Sequence, residues 1–316
     1  MLCRSADSIF WMARYVERIE NISRFLSITL QTTLDSESDD AEFWQPLVAL
    51  AGDTRQFRSR FGRATEANVI EYLTFDNENS NSISELLRQA RENARSLRET
   101  LSSEMWEQLN VVYLQVQETS LADILAAPEQ FFSQLRLSSL AFNGIVAGTL
   151  SHGLGYHFAR LGSMLERADQ TLRLLDVRHR LLLPSIKNVE TPIDDVQWAA
   201  VLGAASAYEM YRQRHHQITP DRVVDFLLFD PEFPRSARFC VSNALDAVKS
   251  ISRLAKQDTV ALPAFRRLSK AQSQMVTDGI DDLMLIGVSE YISSLETGLR
   301  SVTDDVFSAF MQQRAA

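Results

Sequence analysis

Apolar residues recur every three or four positions along most of the chain. Two such stripes are Ile9, Met12, Val16, Ile19 and Leu26 near the start, and Leu154, Phe158, Leu161, Leu165 and Leu172 in the middle. This is the period of an amphipathic helix, and no alternating run of the kind that forms a strand is present. The pattern predicts an all-α protein with a helix content above about two-thirds, twice the average for globular proteins.

The helical pattern occurs twice. Trp44 aligns with Trp198, and the alignment continues without a gap to Asp76 over Asp230. Identical pairs within it include Arg58/Arg212, Arg60/Arg214, Val69/Val223, Leu73/Leu227 and Phe75/Phe229. Other blocks recur in the same order. We therefore predict two tandem diverged copies of one helical-bundle unit, residues 1–150 and 151–316, packed pseudo-symmetrically.

The most apolar segment is Leu137 to Leu150. It is shorter than the roughly 20 residues that a membrane-spanning helix needs, and Asn143 interrupts it. The segment is therefore predicted to form a buried helix of a globular protein.

Composition narrows the classes of function. The net charge of −9 argues against general nucleic-acid binding, because such binding requires a basic surface. The two cysteines, Cys3 and Cys240, form neither a metal-ligand spacing nor a disulfide framework. The first residues contain no apolar signal sequence, so a cytoplasmic location is expected.

Polar residues form one face of the first predicted helix. They are Arg14, Glu17, Arg18, Glu20, Asn21 and Arg24. A solvated face is the ordinary explanation, and Glu20–Arg24 has the favoured i,i+4 order of acid before base. However, Phe10 and Phe25 lie among these charges, which indicates that neighbouring helices cover the face.

The same face recurs on a second helix. Its members are Glu166, Arg167, Asp169 and Arg173. No basic residue lies three or four positions from Glu166, so a buried Glu166 would need a partner on another helix. We predict that Glu17 and Glu166 are buried, and that each meets Arg18 or Arg167 of the opposite copy in a groove between the copies.

Each copy also contains a polar turn after an apolar helix. Asp76, Asn79, Ser82 and Asp230 are residue types that cap helix N-termini, and capping is the preferred interpretation. The alternative is that these turns direct backbone N–H groups and Arg235 towards an anion.

The sequence contains no established catalytic motif. It has no P-loop, no Rossmann fingerprint, no Gly-x-Ser-x-Gly elbow and no Glu-x-x-His ligand pair. No metal and no cofactor is predicted, and a nucleotide-binding domain is not visible.

Four segments carry a resemblance to a known family. They are Asp7 to Asn21 followed by Arg24, Leu161 to Asp169, Arg91 to Arg95, and Phe233 to Ser236. Together they resemble the alpha-E family of bacterial all-helical proteins, over essentially the whole chain. The resemblance implies an association with circularly permuted ATP-grasp ligases and transglutaminase-like proteins, and hence a role in peptide or amide-bond metabolism.

Two hypotheses of function follow. The first is a helical subunit that binds and positions a partner ATP-grasp ligase or its peptide substrate, with the arginines of the polar faces binding an anionic group. The second is an enzyme in which Glu17 and Glu166 act as general acid and base, or as metal ligands, in amide chemistry.

Overall fold

The computed structural model describes residues 3–34, 40–182 and 192–311. Helices account for 81% of the chain, and the described residues contain no strand. The prediction of an all-α protein is confirmed. Cys3 and Cys240 are both free thiols.

The chain forms two compact units. The first unit consists of Trp11–Ser151, and the second of the described residues of Met1–Phe10 and His152–Ala316. The boundary after Ser151 lies next to the one predicted from the repeat, whereas the assignment of the first ten residues was not foreseen. Compact units do not by themselves show that the halves are copies, so the tandem-copy arrangement stays a prediction.

Among the described residues, eight helices begin before the boundary. They are α1 (Cys3–Leu34), α2 (Asp40–Ala51), α3 (Thr54–Phe61), α4 (Glu66–Thr74), α5 (Ile83–Ser96), α6 (Ser103–Glu118), α7 (Leu121–Ala126) and α8 (Pro128–Thr149).

In the described part of the chain after the boundary, eight more helices follow. They are α9 (Leu154–Leu182), α10 (Pro192–Ala204), α11 (Tyr208–Arg214), α12 (Pro220–Phe229), α13 (Ala237–Leu254), α14 (Pro263–Thr277), α15 (Ile280–Ile286) and α16 (Val288–Val306). A π-helical turn, Phe307–Met311, continues α16.

A bundle of four helices forms the centre of the second unit. Helix α9 packs against α13 and α16, and α14 packs against the same two helices. The stripe of Val241, Ala244, Val248 and Ile251 on α13 is fully buried, as its i, i+3, i+4 spacing predicts.

In the first unit, α6 packs against α5 and α8, and α4 packs against α2, α5 and α7. The aromatic rings of Phe57 and Tyr72 join α3 to α4, edge to face, with centroids 5.1 Å apart. In the second unit Tyr211 and Phe226 make the corresponding contact between α11 and α12, at 5.6 Å. The aligned aromatic pairs of the sequence thus make the same type of ring contact in each unit.

Helix α8 corrects the expectation of a buried helix at Leu137 to Leu150. One side of it is buried, through Phe132, Leu135 and Phe142. The other side is open to solvent, where Leu137 is 62% exposed. The sequence was misleading because the segment is apolar on both sides and so lacks the polar stripe that marks a solvent-facing surface.

No helix among the described residues is long and apolar enough to cross a membrane.

Candidate functional site

The polar face of α1 is buried. Glu17 and Glu20 are fully covered, Arg24 is 1% exposed and Asn21 is 3% exposed. The explanation of a solvated face is therefore wrong for these four residues, and the expectation that Glu17 is buried is confirmed. We call this set the α1 polar face.

Local contacts organise the α1 polar face. Arg24 forms an i,i+4 ion pair with Glu20, and Asn21 donates from Nδ2 to the backbone carbonyl of Glu17 at 2.8 Å. Buried charges of this kind are stable only when they are paired or hydrogen-bonded. Arg24 can therefore be buried because Glu20, four residues before it, supplies the opposite charge.

Helix α9 has a matching set of residues. Glu166, Asp169 and Gln170 are buried, with Glu166 fully covered. Gln170 donates from Nε2 to Oε1 of Glu166 at 3.1 Å, and Nε of Arg173 lies 2.8 Å from Oδ2 of Asp169. We call this set the α9 polar face. The predicted pairing of Glu17 and Glu166 with an arginine of the opposite copy stays a prediction.

A carboxyl group of α16 adds to the electrostatics of the α9 polar face. Burial raises the pKa of Glu296, and the negative charge of Asp169 raises it further, while Arg173 and Arg300 act in the opposite direction. Sequence analysis missed Glu296, because the packing of α16 on α9 is a tertiary contact with no local signal.

One arginine beside each polar face reaches the turn that precedes α5 or α13. Arg18 donates from NH1 to Oδ1 of Asn81 at 2.7 Å, and Arg167 donates from NH1 to the backbone oxygen of Pro234 at 3.4 Å. Both arginines are half-buried. Thr171 also donates to the backbone oxygen of Arg235 at 2.8 Å, which fixes the turn against α9.

The other predicted ligand-binding arginines differ in how far their side chains are exposed to solvent. Arg14 is half-buried and lies over the ring of Trp11, with its guanidinium carbon 5.0 Å from the centroid. Arg235 is buried, at 8% exposure.

In each polar turn an aspartate accepts backbone N–H groups and forms an ion pair with an arginine. Asp76 accepts the backbone N–H of Glu78 at 3.1 Å, and Oδ2 of the same carboxylate lies 2.5 Å from NH1 of Arg60. Asp230 accepts the backbone N–H groups of Glu232 at 2.8 Å and of Phe233 at 2.7 Å. It also forms an ion pair with Arg214. These turn amides therefore bind a carboxylate of the protein itself, which disfavours the alternative of an external anion at these amides.

The cap predictions need correction for three residues. Ser82 is the N-cap of α5 and accepts the backbone N–H of Glu85. Asp76 instead accepts a backbone N–H group of the turn, and Asn79 binds backbone groups of the turn and of α4. Asp230 is the C-cap of α12. The N-cap of α13 is Ser236. If the alignment of Asp76 with Asp230 is continued for six residues, Ser236 aligns with Ser82.

Within the described residues, no group of three or more His, Cys, Asp or Glu side chains has a geometry that could hold a metal ion.

Comparison with known proteins gives one family and a few relatives. A family model described as "a predicted alpha-helical domain with a conserved ER motif" matches residues 1–311. In this sequence Glu-Arg occurs at residues 17–18 and 166–167, once on each polar face.

Uncharacterized proteins of Mycobacterium bovis and Mycobacterium tuberculosis are 22% identical to the chain over 325 aligned residues. The alignments cover 95% of this chain but 36% of each relative, so the chain spans about a third of the length of these relatives. No solved structure shows significant similarity.

Proposed function

Because the chain belongs to the Alpha-E family, we propose that it is a helical subunit that binds and positions an ATP-grasp type amide ligase or the peptide substrate of that ligase. The length of its relatives supports this proposal. Their matching region is joined to a further stretch nearly twice as long, so the helical region there works in one polypeptide with other parts.

We further propose that residues 1–150 and 151–316 arose by internal duplication. Helices α1–α8 and α9–α16 follow the same order of lengths: one long helix, three short ones, two of intermediate length, a short one and a final long one. The paired turns of Arg60 with Asp76 and Arg214 with Asp230 support the same inference. A duplicated site could hold two ends of an extended ligand or two copies of a small one.

The proposed ligand is a carboxylate or another anionic group of a peptide or amino-acid substrate. Arg18 and Arg167 are half-buried beside the two polar faces and reach the turns before α5 and α13, and we propose that these two arginines bind it. Arginine suits this task because its planar guanidinium makes paired hydrogen bonds to a carboxylate. A buried glutamate next to each one, Glu17 or Glu166, would hold the arginine in position.

The enzyme hypothesis is less favoured. A catalytic acid or base must touch the substrate, whereas Glu17 and Glu166 are both fully covered. The proposed role is therefore in binding, within cytoplasmic peptide or amide-bond metabolism, with the chemistry supplied by the ATP-grasp partner and a transglutaminase-like protein as a second candidate partner.

Calorimetric titration tests the ligand proposal. Short acidic peptides, and separately ATP, are titrated into the wild-type chain and into the double variant Arg18→Ala, Arg167→Ala, with and without an ATP-grasp ligase from the same cell. We expect the wild type to bind an acidic peptide and the double variant to bind it at least about tenfold more weakly, as for the loss of charge-assisted hydrogen bonds.

The double variant Arg55→Ala, Arg63→Ala is a matched control, because both arginines are exposed and lie outside the polar faces. Equal binding by all three proteins would place the ligand elsewhere. Negligible binding by the wild type in every arrangement would reject the ligand and leave a purely structural role for the polar faces.

A further inference from the structure

The exposed positions of α8 carry no charge, and the half-buried Glu129 and Arg136 lie at the edge of this side. Its exposed residues are Gln130, Gln134, Leu137, Leu140, Ala141, Gly144, Ala147, Gly148 and Thr149. Leu137 is 62% exposed and Leu140 is 44% exposed. Helices facing water are usually lined with charged residues, so an exposed face of large apolar and small residues indicates a binding surface. We call this set the α8 face.

Helix α16 provides an internal comparison, since it is the last helix of the other unit and has a similar length. Its exposed residues are Glu290, Ser293, Ser294, Thr297, Arg300 and Asp304, and three of these six are charged. Of the two final long helices, α8 therefore has an uncharged exposed face and α16 does not.

Packing within the described residues does not require the glycines of the α8 face. A Cβ atom added at Gly144 or Gly148 would meet no other atom within 4 Å. Glycine inside a helix costs about 1 kcal/mol relative to alanine, and no crowding in this unit requires it here. Small residues four positions apart do, however, allow the backbone of another helix to approach closely.

We propose that the α8 face binds the same face of a second copy of the chain, as an antiparallel helix pair about a twofold axis. Large residues occupy the first part of the face and small residues the last part. A twofold axis between Leu140 and Ala141 sets Leu137 of each copy against Gly144 of the other. In a parallel pair, large residues would instead meet large ones and small residues small ones, which packs poorly.

Charge also favours a second copy as the occupant. Each chain has a net charge of −9, so two copies repel each other, and a contact through an uncharged surface adds least to this repulsion. The α8 face is the neutral surface that such a contact needs. Because salt screens the repulsion between the remaining charges, the dimer should become tighter as the ionic strength rises.

The neighbouring helix extends the surface. Val111 on α6 is 60% exposed. Gln108 donates to the backbone oxygen of Ser138 at 3.1 Å, and Gln134 donates to Gln115 at 3.5 Å, so Val111 lies on the side of α6 that adjoins α8. Helix α8 is about 33 Å long at 1.5 Å per residue. The area buried between two helices of this length is at the small end of stable protein–protein interfaces, so we expect a dissociation constant in the micromolar range.

Sedimentation equilibrium of the purified full chain tests the proposal. We expect the average mass to rise with concentration from that of one chain, 35.8 kDa, towards twice that value. Gly144→Leu should weaken the dimer by about tenfold or more, because the added side chain blocks the approach of the second helix. Its melting temperature should stay equal or rise, since leucine is the better helix former.

The control variant is Leu285→Arg, at an 86% exposed leucine of the other unit. It should leave the dimer unchanged. The orientation is tested by cysteine variants in a Cys3→Ser background, in which the remaining Cys240 is buried. Ala141→Cys should form a covalent dimer with a short thiol crosslinker, and Gly148→Cys should not.

A chain that remains monomeric at all concentrations overturns the proposal. A dimer that Gly144→Leu leaves intact, or that Leu285→Arg disrupts, overturns it as well. Equal crosslinking of Ala141→Cys and Gly148→Cys contradicts the antiparallel arrangement. None of these outcomes bears on ligand binding by Arg18 and Arg167.

Discussion

At the scale of single residues, the buried carboxylates are the most unusual feature of the protein. Glu17 and Glu166 are fully covered, on helices that each carry an i,i+4 pair of acid and arginine, buried on α1 and partly exposed at Arg173 on α9. A buried carboxylate costs several kcal/mol unless hydrogen bonds and opposite charges compensate for its lost hydration. The cost of burying these carboxylates therefore depends on the hydrogen bonds and opposite charges around them.

Replacement of the buried glutamate of α9 should be strongly destabilising. Glu166→Ala removes a partner of Gln170 and leaves the other neighbours of the carboxylate uncompensated, so we expect a loss of about 3–5 kcal/mol in the free energy of unfolding. Chemical denaturation with circular dichroism measures it. Glu107→Ala, at an exposed position of α6, is the control and should change the stability by less than about 0.5 kcal/mol. Equal stability of both variants would show that Glu166 is not part of a buried network.

His157 should make the stability depend on pH. Burial lowers its pKa below the ordinary 6.5, and the positive charges of Arg160, His152 and Arg253 lower it further. The folded protein therefore favours the neutral ring, and its stability falls as the pH drops below 6.5, because the unfolded chain then binds the proton more readily.

The variant His157→Gln should lack this contribution. Relative to it, the wild type should lose stability progressively between about pH 7 and pH 5 in denaturation experiments at fixed ionic strength. His216→Gln, at an exposed histidine, is the matched control. A difference between wild type and His157→Gln that does not change with pH would contradict the account.

At the scale of elements, the turns after α4 and α12 fix the course of the chain. Asp230 accepts two backbone N–H groups and also pairs with Arg214. We expect a loss of roughly 1.5–3 kcal/mol for Asp230→Ala, a smaller loss for Asp230→Asn, and at most about 1 kcal/mol for Arg214→Ala, because that arginine is partly exposed. Thermal melting of the three variants gives the order. A larger effect of Arg214→Ala than of Asp230→Ala would show that the ion pair, and not the turn, is the stabilising part.

The sequence predicted the positions of the helices better than the contacts and solvent exposure of each helix. The period of apolar residues identified α1 and α9, because that period is a direct consequence of helix geometry. It failed at α8, where an apolar exposed face looks like a buried one. It also missed the contribution of Glu296, since packing between α9 and α16 leaves no trace in local spacing. The turn residues Asp76 and Asp230 were found by identity between the two halves, although their bonds differ from those of an N-cap.

At the scale of the whole molecule, the first ten residues belong to the compact unit that is otherwise formed after residue 151. Ile9 and Phe10 are almost completely buried. Their removal should therefore destabilise the second unit by exposing its apolar surface.

A chain that begins at Trp11 tests this assignment by hydrogen exchange. We expect amides of α9 and α13 to lose more protection than those of α5 and α6, compared with the full chain. A loss of protection confined to the first unit would contradict the assignment of the first ten residues.

We propose that the chain acts as a binding subunit of an ATP-grasp amide ligase. The most direct measurement is affinity purification of the tagged full chain from its native cell, followed by mass spectrometry of the bound proteins, with the variant Arg18→Ala, Arg167→Ala and an unrelated acidic helical protein as controls. The account predicts that an ATP-grasp protein is recovered with the wild-type chain in near-equal molar amount, and not with the unrelated protein. Recovery of the chain without any ATP-grasp protein, under conditions in which that ligase is present in the lysate, would contradict it.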